Sequence, residues 1–584
     1  MMASATDKPF PDREPVEGAS VMAAHNSTER EDPRSMTELS RGDVAIGVKT
    51  SWVYGFLILL LAALIRLAFF RGALGTDEIV YLTQAQRLLN GDIGHAVYIG
   101  AVRYGINGFQ ALSIRLFGNG VAGAGGLYFL CWLGNALLAY WFAYRLWGRR
   151  AAIWTGLALA VLPLDAALAT SLNPDPYLAL FISGSIVVFF FAESHDSHPQ
   201  YFLAGLLAGW VFWIKEEVIV FGLIFLIYAA FQRRWRTGWL WFLLGGLLCC
   251  VADLFFFWVA YGDPFYHYSV VHRAVDDQLA AQSFGETSPW AYTSFLFIKV
   301  YHTGLLGWLA LAGCVLALRR PTQPGTRFVV IWAIGLLVIF SLFPVSLSPP
   351  EFIRKTASYM EIFVTPLALL TGWFLAQQRR AVALVLGGVM IASGILLSAL
   401  EQQVVRVVAV NGQAAAAFAE AHAGTPVFGP LTAQRQSIVE RLFRGSLDTG
   451  SDIRPWADLS GVSAGEGPAG DVVAYLIEDP QMRIWPDATK EVPLSETVRR
   501  CLVPLGPLAQ GDLGLGRSVV AALRDVLSVL PAPYAAATLR GTDSVWQVSQ
   551  AQVYVVTREC AHEAQGKSAS RSQPRLAERS AQEL

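Results

Sequence analysis

Asp77 and Glu78 form an adjacent carboxylate pair in Gly75-Thr76-Asp77-Glu78-Ile79-Val80-Tyr81, a few residues beyond an apolar run, Trp52 to Phe70, that is long enough to cross a bilayer. Acids in a membrane cost on the order of 2.5–3.5 kcal/mol at a helix centre, so each one retained is a functional candidate. A carboxylate within reach of an acceptor hydroxyl can act as general base. Tyr81, in the same stretch, is a substrate-binding candidate. The pair equally suits a helix start, because Asp caps well and acids favour the first turn.

Four further sites stand at comparable positions. Asp175 opens a later apolar run in Leu172-Asn173-Pro174-Asp175-Pro176, where Asn173 and the prolines also suit helix initiation. Lys215-Glu216-Glu217 closes another run and sets a cation at the same level, or else a snorkelling lysine beside solvated acids. The loop Gly262-Asp263-Pro264-Phe265-Tyr266-His267-Tyr268, continuing through His272, Arg273, Asp276 and Asp277, mixes titratable and aromatic groups as binding loops do. His267, His272 and Arg273 are substrate-binding candidates, and the two histidines lack the Cys/His spacing of a metal site. In Pro349 to Tyr359, Arg354 and Lys355 want an anion, either a lipid phosphate or ordinary anionic headgroups, and Tyr359 is a further substrate-binding candidate. Asp165 and Asp253 lie deeper in apolar runs; each is expected to pair with a polar neighbour, and neither is given a role.

Apolar helices have to hold these residues. The 584 residues are 54% hydrophobic and 15% charged, against roughly 25% charged in soluble domains. A net charge of −1 gives nucleic acid no basic footprint. After Trp52 to Phe70, apolar runs follow at 121–144, 151–170, 176–192, 201–214, 218–231, 239–261, 293–318, 328–347, 358–376 and 381–399. Measured against the ~20 residues a bilayer needs, these predict an α-helical polytopic membrane protein of about eleven transmembrane helices. No apolar run follows a basic start early enough for a signal peptide, so the first span is read as uncleaved.

Loops on one side hold Arg145, Arg149, Arg150, then Arg233, Arg234, Arg236, then Arg319, Arg320, Arg327, then Arg379 and Arg380. That pattern places this side and the N-terminus in the cytoplasm and the acidic candidates outside. Segment 71–120 is too polar to span and is expected as short helices along the membrane surface. Four domains follow: a disordered cytoplasmic tail (1–48), a transmembrane domain (49–400), an extracytoplasmic α/β domain (401–561) and a disordered end (562–584). Within the α/β domain, helices are expected at Gln413–Ala423, Ala433–Phe443 and Val519–Leu530. Strands are expected at Pro426–Leu431, Asp471–Ile477, Tyr534–Leu539 and Gln552–Thr557. Cys501 and Cys560 share that domain, as a disulfide or as two free thiols.

Taken in order, these features resemble the GT-C glycosyltransferases, in particular the bacterial family 39 members similar to protein O-mannosyltransferases and to the aminoarabinose transferases of lipid A. The resemblance covers residues 52 to about 400. It rests on the Asp77-Glu78 pair; on Asn173-Pro174-Asp175, similar to a short Pro-Asp motif; and on Gly205 to Lys215, similar to a Gly-rich span ending in Lys. Arg354, Lys355, Tyr359 and Pro366 look like the family's late basic and tyrosine positions. Glu216-Glu217 departs from the pattern, since many relatives continue with small or apolar residues there.

The resemblance implies a GT-C-like catalytic domain in the bacterial inner membrane. The donor would be a polyprenyl-phosphate sugar, and the extracytoplasmic acceptor a glycan, lipid or protein. Transfer would invert the anomeric centre with Asp77 as general base, Glu78 and Asp175 orienting acceptor or base, and Lys215, Arg354 and Lys355 holding the donor phosphate. No cofactor or metal is implied, and the remaining partners are membrane lipids. A polytopic transporter or lipid-linked-sugar flippase is the alternative. Its charges would lie near the midplane of two similar halves, whereas those here gather at one edge and no internal repeat is visible.

Overall fold

The structure, a computed structural model, describes residues 35–560 apart from 74, 94–95, 97, 172, 233–235, 282–287, 320–323, 348–349, 448–449, 462–471, 480–495, 510, 534, 537–538, 541–542, 544–549 and 559. Two compact units divide after Trp52, and the described part of the first is helical. Helix α1 (Ser35–Ala68) carries the first apolar stretch at Ser51–Ala68. Residues 35–48, expected as tail, are helical, because no proline follows Pro33 to stop the helix growing towards the N-terminus. The expectation of disorder at 1–34 and 562–584 lies outside the described residues.

Segment 71–120 folds as short helices α2 (Glu78–Leu89), α3 (Ile99–Val102) and α4 (Tyr104–Phe117). The apolar runs then become α5 (Val121–Trp147), α6 (Arg149–Ala160), α7 (Pro163–Leu168), α8 (Asp175–His195), α9 (His198–Ile214) and α10 (Leu223–Gln232). After these come α11 (Gly238–Tyr261), the polar α12 (Tyr266–Ala281), α13 (Ala291–Phe297), α14 (Leu306–Arg319), α15 (Pro324–Leu342), α16 (Glu361–Gln377) and α17 (Arg380–Ala421). Among the described residues, seven helical stretches are long and apolar enough to cross a membrane: Ser51–Ala68, Val121–Trp147, Asp175–His195, Gly238–Tyr261, Gly325–Leu342, Ser358–Gln377 and Arg380–Ala421.

The remaining runs are shorter or broken, each for a local reason. Run 151–170 divides at Pro163, whose missing N–H suits it to open α7 rather than continue α6. Run 218–231 starts as a 3₁₀ turn, Glu216–Gly222, before α10. Run 293–318 is α13 and α14 separated by turns. An antiparallel hairpin, β1 (Pro344–Leu347) and β2 (Pro350–Phe352), leads towards α16.

Beyond residue 400 the chain continues α17 without a break, so the Ala-rich Gln413–Ala423 stretch is largely the end of a spanning helix rather than an element of its own. A five-stranded sheet follows, in the order β4-β3-β5-β7-β6. Its strands are β3 (Val427–Gly429), β4 (Ile453–Pro455), β5 (Val472–Glu478), β6 (Val503–Pro507) and β7 (Gln552–Thr557). The first three pair parallel, and β7 runs antiparallel to β5 and β6. Helices α18 (Leu431–Phe443), α19 (Glu496–Cys501) and α20 (Leu515–Ser528) accompany it. Cys501 and Cys560 form a disulfide with Cα atoms 5.3 Å apart, beside a core of Phe428, Val473, Leu476 and Val556. The expected strand Tyr534–Leu539 is corrected: its described residues are helical, as the alanines after Pro533 favour.

A close backbone contact joins α9 to α11 through small residues. Gly205 and Gly209 stand one turn apart on α9, and Gly245 on α11 faces them. A Cβ on Gly205 would meet the Phe242 carbonyl oxygen, and one on Gly209 would come within 2.7 Å of Cys249 Cβ. Backbones can approach this closely only where side chains are absent, which is how helices without a water-driven force associate in lipid. By contrast, a Cβ on Gly246 would sit 3.6 Å from the Gly205 carbonyl oxygen, an ordinary contact. We therefore expect Gly205→Val to destabilise the protein by about 1–3 kcal/mol through overpacking, with Gly246→Ala neutral. Thermal unfolding in detergent reads this out, and equal midpoints for the two variants would contradict the packing.

Candidate functional site at one end of the helix bundle

Helix α9 stops at Ile214 because Lys215 adopts an extended backbone, φ −159° and ψ 99°. That break sends three consecutive charged side chains towards different neighbours. Lys215, buried, places Nζ 3.8 Å from Asp175 Oδ1 at the start of α8 and 3.8 Å from Glu217 Oε1. The same ammonium sits 3.4 Å from the ring centroid of Tyr359, and the Tyr359 hydroxyl donates to Glu217 Oε1 at 3.0 Å. Asp175 is fixed locally as well, since its N–H donates to Asn173 Oδ1 at 2.9 Å.

Glu216 turns the other way. Arg103, between α3 and α4, donates to it in a fork, Nε at 3.1 Å and Nη2 at 2.7 Å. His267 Nε2 lies 3.8 Å from Glu216 Oε2, while its Nδ1 is 3.2 Å from Asp253 Oδ1. Asp253 thus has the polar partner expected of it. Burial alone would raise the Glu216 carboxyl, but the Arg103 guanidinium outweighs this and holds it well below the usual carboxylate range. Burial likewise would lower the His267 imidazole, yet the neighbouring carboxylates of Asp253 and Glu216 raise it to about 9.

Arg103 carries the network to the acidic pair. It lies beside the Tyr81 side chain, and the Tyr98 hydroxyl lies beside Asp77. Burial first, and the Asp77 charge second, push the Tyr98 hydroxyl up to about 12. Asp77 occupies the cap position of α2, but its exposed side chain makes no capping bond. Glu78 is buried and accepts from the Thr76 N–H at 2.6 Å and from the Thr76 hydroxyl.

The sheet-bearing region closes on this loop. Gly75 has φ +71°, and a Cβ there would approach Arg435 Cβ of α18 within 2.9 Å. The Gln436 side chain donates to the Ala73 carbonyl at 3.4 Å. Ile438, Val439 and Leu442 of α18 share one apolar core with Ala73, Ile79, Leu82 and Ala85. A deeper cluster anchors the start of α16: the Trp132 indole donates to Asp165 at 2.7 Å, Arg66 lies 3.5 Å from the same oxygen, and Glu361 adjoins it. Asp165 is therefore paired, as its depth required.

Contacts thus bring together Asp77, Tyr81, Asp175, Lys215, His267 and Tyr359. Other candidates stand apart from these contacts. Lys355 is buried, and its Nζ donates to the Ile353 carbonyl at 2.8 Å; burial lowers its ammonium pKa. Arg354 is half-buried in the same loop. Arg273 Nε donates to the Ser269 carbonyl of its own helix at 3.3 Å, and His272 lies against Tyr268 on that helix. The side chains of Asp276 and Asp277 are outside the described residues. Arg103 and Tyr98 were not anticipated, because segment 71–120 reads as surface helices. The available signal was an arginine set between apolar Val102 and Tyr104. Among the described residues no group of three His, Cys, Asp or Glu side chains is placed to hold a metal ion.

Residues 105–257 match the sequence family described as Dolichyl-phosphate-mannose-protein mannosyltransferase. No curated protein matches the chain. Among solved structures, ArnT from Cupriavidus metallidurans in the apo state superposes with a TM-score of 0.50 and 16% identity, over 82% of this chain and 97% of that one. The same protein bound to undecaprenyl phosphate gives 0.47 and 14%, over 89% and 99%. The Archaeoglobus fulgidus oligosaccharyltransferase AglB, in complex with an inhibitory peptide and a dolichol-phosphate, gives 0.42 and 12%, over 75% and 72%. The likeness to apo ArnT is one of fold, and the family match falls on α4 to α11, which include Asp175 and Lys215. The family match over residues 105–257 and the likeness of fold make the chain similar to the GT-C membrane glycosyltransferases.

Proposed function

We propose that this protein transfers a sugar from a polyprenyl-phosphate donor to an extracytoplasmic glycan, lipid or protein acceptor, with inversion at the anomeric carbon. The observation that carries the reading is the gathering of Asp77, Arg103, Asp175, Lys215 and Tyr359 at one end of the bundle through the Lys215-Glu216-Glu217 break. The match to a family described by a dolichyl-phosphate sugar supports the donor class. The arginine-rich loops at the opposite end support a cytoplasmic N-terminus and an extracytoplasmic site, in a bacterial inner membrane.

In this mechanism Asp77 takes the proton of the acceptor hydroxyl as that oxygen attacks the anomeric carbon. The carbon–oxygen bond to phosphate breaks on the opposite face, and its electron pair leaves with the phosphate. Asp77 suits the task because its carboxylate is exposed and so open to an acceptor. Charge accumulating on phosphate is met by fixed cations, which need no reorganisation as the bond breaks. Lys215 and Lys355 are buried cations, Arg354 is the partly exposed residue before Lys355, and burial lowers the ammonium pKa of Lys355, a shift that a bound anion would oppose. Glu78 and Asp175 hold the loop and the lysine from which base and clamp act.

Purified protein in lipid, given a panel of radiolabelled polyprenyl-phosphate sugars and an acceptor extract, tests this reading. Asp77→Asn is expected to lower transfer by a factor of about 10² to 10⁴, the usual worth of a general base, with the fold unchanged; near-normal turnover would remove Asp77 as base. His267 adds a pH dependence. Because its folded pKa is raised from 6.5 to about 9, its stabilisation is fully present below about 6.5 and is lost as pH climbs through about 9. The thermal midpoint should therefore fall over that alkaline window in the wild type and much less in His267→Gln. Parallel pH profiles would show that His267 does not bridge Asp253 and Glu216.

A further inference from the structure

We propose that α20 is an interfacial helix, lying at the membrane surface on the site end of the bundle with its Leu515, Ala522, Val526 and Val529 face against lipid. The 3.6-residue period puts these four on one side. All are exposed, Val526 by 68% and Val529 by 84%, and Leu530 continues the patch at 41%. A neighbouring face packs on the protein, where Gly516 and Val520 are buried and Val519 touches the core of the bundle. Arg517, Arg524, Asp525 and Ser528 occupy the remaining side, and the Arg524 guanidinium pairs with Asp543 at 2.8 Å. Two apolar faces and one polar face are more than a helix needs to dock on its own domain.

What fixes the occupant is height. Gln402, just past the lipid-length part of α17, donates to the carbonyls of Phe70 at 2.9 Å and Ala68 at 3.4 Å, where the first span ends. Its Oε1 accepts from the Gly516 N–H at 2.8 Å. Gln403 donates to the Leu513 carbonyl at 2.9 Å, and Arg406 to the Asp512 carbonyl at 3.1 Å. A Cβ on Gly516 would come within 2.9 Å of the Ala399 carbonyl oxygen, so the helix starts directly against α17. The beginning of α20 is thus pinned level with the ends of two spans. The helix against which α20 starts itself presents an outward apolar surface, where Val385, Val389 and Val404 are at least half exposed. A bilayer that covers α17 reaches this face without any further partner.

Nitroxide labels at Val526→Cys and Val529→Cys test the placement, in the full chain with Cys131, Cys249, Cys250 and Cys314 replaced by alanine and the Cys501–Cys560 disulfide retained. The protein is held in bilayers of phosphatidylethanolamine and phosphatidylglycerol, with Asp525→Cys as the control. Power saturation is expected to show both valine positions more accessible to oxygen than to a water-soluble nickel chelate, with the ratio inverted at Asp525. Nickel access at both valine positions would overturn the proposal in favour of a solvated helix. Exclusion of both reagents, or spin–spin broadening between molecules, would overturn it in favour of a protein partner or a second copy. A monodisperse elution profile for each labelled variant separates these outcomes from misfolding.

Discussion

Charges withdrawn from water at the end of an apolar bundle must find opposite charges, because each unpaired ion costs several kcal/mol after relaxation. The Lys215-Glu216-Glu217 break meets that constraint with four neighbours, three of them charged or titratable and the fourth a hydroxyl. Lys215 takes Asp175 at the start of α8, Glu216 takes Arg103 ahead of α4 and His267 on α12, and Glu217 takes the Tyr359 hydroxyl ahead of α16. The ends of several helices are thereby tied to one extended residue. Through Arg103 and Tyr81 the tie reaches the loop that carries Asp77. In the proposed mechanism this tie is what lets a proton acceptor and a cation face one reacting group without rearrangement, the preorganisation that electrostatic catalysis requires.

Packing sets where that break falls. Gly205, Gly209 and Gly245 let α9 and α11 approach backbone to backbone, so the end of α9 is held against the helix that supplies Asp253. On the other side, α18 closes over the Asp77 loop at Gly75, where only a residue without Cβ tolerates both the positive φ and the nearness of Arg435. The sheet-bearing region is in this sense a wall of the candidate site, joined to α2 by a shared apolar core.

Much of the bundle was legible because apolar runs of spanning length, in a chain with so little charge, are stable chiefly as helices across a bilayer. The breaks within it were less so: Pro163 announces a boundary, while the 3₁₀ turn after Lys215 depends on tertiary pairing and leaves no local signature. Asp77, Asp175 and Lys215 stood out through the cost of their positions. Arg103 did not, since one cation in a long polar segment looks ordinary until its fork with Glu216 is visible. The Glu216-Glu217 pair, which read as a departure from the family pattern, carries three of the four ties. Strands β4 and β6 are short and bear prolines, so neither shows an alternating pattern. The Tyr534–Leu539 segment misled in the opposite direction, its alanines favouring helix.

The measurement that bears most directly on this account is a double-mutant cycle on Arg103→Gln and Glu216→Gln, read by thermal unfolding and by sugar transfer in lipid. If the pair ties the site together, each single change leaves a buried charge unmatched. The double variant should then be less destabilised than the sum of the singles, by about 1–3 kcal/mol, and should retain more transfer than either. Strictly additive effects on both readouts would contradict the claim that charge pairing across the break builds the site.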